Sequence, residues 1–275
     1  MKVKCQVCMH HCELKPGQSG RCRGRKNENG RIICSNYGQI TSLALDPIEK
    51  KPLYKFYPGN SVLSVGSYGC NLSCPFCQNY TIAACSPKEA DARYLTPKEL
   101  AEMALTLKNR KNIGVAFTYN EPLIGYEYVR DTAKLLQSME MKAVVVTNGS
   151  FSLFVLDEIL PYVDAMNIDL KGFTQSYYKK LGGNLETVKN FIKKAAGACH
   201  VELTTLIVPG ENDSREEMLQ LAEWIASVDE KIPLHVTRFF PRWKMADKKA
   251  TEISTVFALA EVARSRLQYV YTGNC

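Results

Sequence analysis

The chain has 275 residues, with 35 Lys or Arg against 28 Asp or Glu and a formal charge of +7. Its 45% hydrophobic share builds a full core without disulfides, and its length fits one α/β catalytic domain plus a small appendage. No apolar run reaches the ~20 residues of a membrane span, no basic arm carries interleaved aromatics for nucleic acid, and the N-terminus MKVKCQVCMHHC lacks a signal-peptide core. The mild basic excess reads as a solvated surface, or as a bias toward an anionic substrate or partner. A cytoplasmic location is expected, where thiols stay reduced. The 11 cysteines then read as metal ligands rather than a disulfide framework. The glycosylation-type sequons at Asn71, Asn79, Asn148 and Asn212 are incidental in that setting.

Residues 1–58 stand apart as a Cys-rich N-terminal segment with a candidate metal site. Short strands are predicted at 31–34 and 39–45, then a strap, DPIEKKPLYKFYPG (46–59), with three Pro. From 59 to 275 strands and helices alternate. Strands are predicted at 61–67, 113–118, 142–148, 163–170, 200–208 and 233–239. Helices are predicted at 96–111, opened by Thr96 and Pro97, and at 121–138, 152–161, 174–181, 184–198, 214–228 and 250–267. Six βα units in a row imply a parallel sheet with right-handed crossovers. The fold class is therefore α/β, a partial (β/α)6 barrel, with an open doubly wound sheet as the alternative. No P-loop or G-x-G-x-x-G pattern occurs.

The chemistry sits in SYGCNLSCPFCQNY (67–80), just after the first barrel strand. Cys70, Cys74 and Cys77 form C-x3-C-x2-C. A closed zinc site takes four protein ligands, and no fourth Cys or His lies nearby. A [4Fe-4S] cubane held by three Cys keeps one iron open. That iron can chelate the amine and carboxylate of S-adenosylmethionine (SAM), and one electron then breaks the sulfonium C–S bond to give a 5′-deoxyadenosyl radical. The loop lies where α/β barrels build their sites, at the C-terminal end of a strand. Phe76 can present its ring to the adenine. A zinc knuckle or three free thiols is the bland reading.

C-x3-C-x2-C with an aromatic before the last Cys resembles the radical SAM superfamily. DPIEKKPLYKFYPG, GCNLSCPFCQN, FTYNEP, NIDLKGF, LHVTRFFPRWKM and VYTGN together resemble the AmmeMemoRadiSam-type radical enzymes, relatives of the pyruvate formate-lyase activating enzymes. The likeness spans nearly the whole chain. It implies SAM contacts at Asn120 and Glu121, whose carboxylate would accept from the methionine amine, with a helix N-cap as the plainer role for Glu121. Asn148, which with Gly149 ends the third strand, is a further cofactor-binding candidate, with a plain turn as the alternative. Asp169 and Lys171 resemble the Asp-x-Lys near the SAM carboxylate, or form a structural ion pair. Val208, Pro209 and Gly210 are a looser candidate for adenine. His235 is placed near SAM by the resemblance alone.

Cys5, Cys8, Cys12 and Cys22 read C-x2-C-x3-C-x9-C, a second candidate metal site. It suits structural zinc or a second Fe-S cluster, with zinc slightly favoured. The resembled enzymes usually continue past VYTGN into a C-terminal cysteine pair. This chain stops at Asn274-Cys275, so Cys275 is a stray thiol or a reaching ligand. The expected activity is reductive SAM cleavage and hydrogen abstraction from an unidentified substrate, with a one-electron donor such as flavodoxin or ferredoxin. The alternatives are a glycyl-radical activase acting on a protein backbone Gly, and a zinc-binding interaction module without catalysis.

Overall fold

The computed structural model describes residues 1–275. Its main sheet has eight strands in the spatial order Val270–Gly273, Leu234–Arg238, His200–Ile207, Ala165–Asp169, Lys142–Thr147, Asn112–Phe117, Ser61–Gly66 and Ser42–Pro47. Seven run parallel; only Ser42–Pro47 is antiparallel to its neighbour. The outermost strands do not pair with each other, so this is a partial barrel. The parallel strands are buried on both faces, which is why they read as near-continuous apolar runs such as VLSVG and AVVV.

Helices cover the outer face for reasons visible in their spacing. In Leu185–Ala196 the buried residues Leu185, Val188, Phe191, Ile192 and Ala195 recur three or four apart. Helix Pro97–Thr106 begins with a full capping box, Thr96 with Glu99, and Pro at its first position. Helix Arg215–Asp229 starts at Ser214, whose hydroxyl accepts from the Glu217 amide. No helix is long and apolar enough to cross a membrane.

Three expectations change. The sheet gains a seventh parallel strand, Val270–Gly273, too short to announce itself after the last helix. The predicted strand 39–45 splits: Gln39–Ile40 pairs with Arg93–Tyr94, and Ser42–Pro47 joins the main sheet. That pairing crosses the boundary expected at residue 58. The helix predicted from 121 begins at Tyr126, after a 3-10 turn at Pro122–Gly125.

The strap after Pro47 turns inward and fills the lower half of the barrel. Ile48 and Leu53 pack with Val62, Ala116, Val144 and Ala165 in one buried cluster. Asn167 donates to the Pro52 carbonyl at 2.8 Å. The amides of Tyr54 and Lys55 donate to the two Glu202 carboxylate oxygens at 3.0 and 2.7 Å. Asp46 anchors the start of the strap, accepting from Lys51 at 2.9 Å and from the Tyr119 hydroxyl at 2.8 Å. Burial pushes the Asp46 carboxyl up, but these donors outweigh it and hold it well below the usual range.

Candidate active site

The loop after Ser61–Gly66 is held from both sides. Asn120 accepts from the Ser67 amide at 2.9 Å and donates to the Tyr68 and Gly69 carbonyls at 3.2 and 3.1 Å. Asn79 donates to the Tyr119 carbonyl at 2.7 Å, and Tyr119 itself takes the left-handed φ of 70°, a costly conformation that these contacts enforce. From the other side comes the Cys-rich segment. The His10 ring lies 2.8 Å from the Asn71 carbonyl, Arg21 donates to the Ser73 hydroxyl at 3.1 Å, and Asn36 donates to the Tyr68 carbonyl at 3.0 Å.

Gly69 is where the two halves meet. Its φ is +92°, and a Cβ there would lie 2.4 Å from the Cys22 carbonyl oxygen. A Gly69→Ala variant is expected to lose about 2–4 kcal/mol of stability from backbone strain and this overlap. Urea unfolding checks it; an unchanged midpoint would mean the loop and the Cys-rich segment are not wedged together.

This loop delivers Cys70, Cys74 and Cys77, all free thiols, to one cavity of about 410 Å³ at the C-terminal strand ends. Phe76, Asn120, Glu121, Asn148, Asp169 and Lys171 line the same cavity. Its size lies within the usual range for small-ligand sites. Burial lifts all three thiols above their ordinary range, Cys74 to about 11. Lys171 beside Cys74 pulls the other way. Desolvated soft donors of this kind become thiolates when a metal supplies positive charge. No three Cys, His, Asp or Glu side chains converge closely enough to hold a single ion. At Zn–S bonds of ~2.3 Å the sulfurs would have to sit within about 4 Å of each other. A four-iron cluster spreads its ligands more widely, and three soft donors facing one cavity suit it.

Glu121 is fully enclosed. Its carboxylate accepts from the Leu123 amide at 3.1 Å, the Thr147 hydroxyl at 2.7 Å and the Asn148 amide at 2.8 Å. The N-cap role is thus real, and the residue lines the cavity as well. Burial pushes its carboxyl up to about 7 against these donors. Asn148 donates to the Asn71 side chain at 2.8 Å and lies 3.7 Å from the Cys70 sulfur. Lys171 donates to Asp169 at 2.9 Å. Burial alone would lower Lys171, but Asp169 and Cys74 outweigh it and raise it. Phe76 is buried against Tyr177, Leu181, Val208 and Phe239.

His235 does not line this cavity, whereas Thr237, two residues on, does. Its ring lies 2.6 Å from Glu202, edge-on to Tyr54 of the strap at 4.8 Å between centroids and stacked on Tyr271. It is a satisfied core residue one layer down. The sequence also passed over Tyr119, Thr204, Thr237 and Arg242, all of which line the cavity. Thr204 and Thr237 continue the inward-facing alternation of Glu202 and His235, a signal the strand period carries.

In the Cys-rich segment, Cys5, Cys8 and Cys22 are buried and Cys12 is half-buried. Strands Val3–Lys4 and Glu13–Leu14 form the hairpin that carries Cys5 and Cys12, with the Cys5 amide donating to the Cys12 carbonyl at 2.9 Å. Burial pushes the Cys8 thiol up to about 12. As these side chains stand, they do not converge on a single ion either. Cys275 is exposed; its neighbour Asn274 lines the cavity.

The open parallel α/β barrel is a fold that solved structures share. A radical SAM methyltransferase from Sphaerobacter thermophilus aligns with TM-score 0.59 at 16% identity, over 79% of this chain and 67% of that one. SuiB from Streptococcus suis aligns with TM-score 0.60 at 14% identity, over 76% and 48%. The model of the Radical SAM superfamily matches residues 64–222, and the chain belongs to that superfamily. An uncharacterised protein of Methanocaldococcus jannaschii is 40% identical over 99% of this chain and 81% of its own length. Pyruvate formate-lyase 1-activating enzyme of Escherichia coli is 26% identical over 60% and 70%. Membership of the superfamily carries with it a [4Fe-4S] cluster, SAM and a reductant.

Proposed function

We propose that this protein cleaves SAM reductively at a [4Fe-4S] cluster held by Cys70, Cys74 and Cys77, and abstracts hydrogen from a substrate entering at the barrel mouth. The observation that carries this reading is the meeting of those three thiols with Glu121 and the Asp169–Lys171 pair in one cavity. When bound, the cluster supplies the electron that splits SAM into methionine and a 5′-deoxyadenosyl radical. The residues do the placing. Cys70, Cys74 and Cys77 would hold the cluster as thiolates, with no fourth protein thiol beside them. With SAM bound, Glu121 would offer its remaining acceptor capacity to the ammonium, and Lys171 would meet the carboxylate. Phe76 presents an aromatic surface to the adenine, and Asn148 spans Glu121 and the Cys70 sulfur.

Anaerobic reconstitution with iron and sulfide, reduction and addition of SAM should yield 5′-deoxyadenosine by mass spectrometry. Reconstituted iron with no SAM cleavage under any reductant would remove the reading, and zinc alone would leave a binding module in its place. Counting both metals on the same sample also separates zinc from a second cluster at Cys5, Cys8, Cys12 and Cys22. A second reading, glycyl-radical activation, draws on the activating enzymes among the relatives; it predicts a glycyl radical signal by electron paramagnetic resonance on a protein partner. Glu121→Gln is expected to weaken SAM binding roughly tenfold with iron content unchanged. The variant should also flatten the rise in affinity as pH climbs through about 7, where the wild-type carboxyl ionises. Equal affinity in both proteins would sink the ammonium contact.

A further inference from the structure

Cations in the cavity outnumber the acids that answer them. Lys171 is paired with Asp169. Glu121 accepts from three protein donors and pairs with neither arginine. Arg238 and Arg242 line the same cavity, and neither has a carboxylate within ion-pair distance. Arg238 is held ready: its Nε donates to the Thr251 carbonyl at 2.6 Å, and its guanidinium lies 4.9 Å over the Phe240 ring. Its terminal Nη groups are left without a protein acceptor. Arg242 is exposed and makes no side-chain hydrogen bond to the protein.

The segment carrying these arginines is fixed over the Cys loop. The Lys244 amide donates to the Pro75 carbonyl at 3.0 Å, between Cys74 and Phe76. Trp243 stacks on Tyr80 with ring centroids 5.5 Å apart and planes within 6°. Phe240 keeps 44% of its surface exposed. An arginine fork stacked on an aromatic ring, with its outer donors free, matches a planar carboxylate or a phosphate.

We propose that Arg238 and Arg242 form a substrate-anion subsite, so that the substrate of this enzyme carries a carboxylate or phosphate held at the mouth while its reacting C–H lies toward the thiols. The assignment rests on the radical SAM reading of the cavity. It also gives the basic residues of Arg238–Lys249 a purpose: this stretch holds Arg238, Arg242, Lys244, Lys248 and Lys249 against Asp247 alone.

Trp243 reports on the subsite. The chain has two Trp, so a Trp224→Phe background leaves Trp243 as the sole indole. The reconstituted protein is titrated anaerobically with inorganic phosphate and, separately, succinate, against sodium chloride at matched ionic strength. A saturable fluorescence change is expected with one or both probes, weakened roughly tenfold or more in Arg242→Gln. Arg242→Gln removes no contact that the fold uses, so it should keep its iron content and circular dichroism. Arg238→Gln should weaken the same response. No saturable change, or an equal change in both variants, overturns the subsite. Displacement of the probe by SAM would overturn it too, by assigning the arginines to the SAM carboxylate. Wild-type SAM cleavage is measured alongside: deoxyadenosine without an anion response removes the subsite alone, whereas absence of deoxyadenosine removes the reading beneath it.

Discussion

Cys74→Ala is expected to abolish 5′-deoxyadenosine formation, by roughly three orders of magnitude or more, and to strip most of the iron from the reconstituted protein. Cys74 is the middle ligand of the trio and the one closest in electrostatic terms to Lys171 and Asp169. Its removal leaves two thiols, too few to retain a cubane that already lacks a fourth protein ligand. The fold should survive. Cys74 packs at the edge of a small cluster around Phe76 and Phe239, and losing one sulfur there costs about 1 kcal/mol or less in unfolding experiments. Iron content, the ultraviolet–visible charge-transfer band and deoxyadenosine yield check the first part; thermal unfolding checks the second. A variant that keeps both its iron and its cleavage activity would refute the ligand assignment.

The second large effect lies far from the mouth. Glu202 is fully buried and its carboxylate meets four partners: His200 at 3.0 Å, His235 at 2.6 Å, and the amides of Tyr54 and Lys55. Glu202→Gln keeps the shape but turns one oxygen into a donor facing other donors. A loss of about 3–5 kcal/mol is expected, measured by urea unfolding at neutral pH. Burial pushes this carboxyl up, yet His200, His235 and the two amides outweigh it and hold it at about 2, against an ordinary 4.5. A depressed carboxyl stabilises the folded state above its unfolded value and loses that contribution as pH falls. The wild type should therefore lose about 3 kcal/mol between pH about 4.5 and about 2, and Glu202→Gln should lack that slope. Parallel acid profiles for the two proteins would show that Glu202 does not carry the effect.

The Cys trio was readable because its ligands lie within eight residues and the flanking strand sets their direction. The resemblance pointed to Asn120, Glu121, Asp169 and Lys171; with Asn148 they line the cavity because each sits at or just past the C-terminal end of a parallel strand, where the chain leaves the sheet toward the mouth. His235 shows the limit of that rule. Alternation tells which face of a strand a residue takes, but depth along the barrel depends on where the strand begins, and His235 is the second residue of Leu234–Arg238. Glu202 was silent for another reason. Two of its four partners come from the strap, 147 and 148 residues away in the chain, and no local pattern announces such pairing. The packing of the Cys-rich segment against Gly69 was hidden in the same way. Arg242 lies in an irregular segment, where periodicity says nothing about direction.

The strap fills the lower half of the barrel and closes that end beneath the cavity. Ile48, Leu53, Tyr54 and the Glu202–His235 network stop the floor, so the thiols are approached from the strand-end side and not from below. A cup closed at its base in this way walls off the ground beneath the thiols from bulk water, so a short-lived species generated there would meet packed side chains on that side.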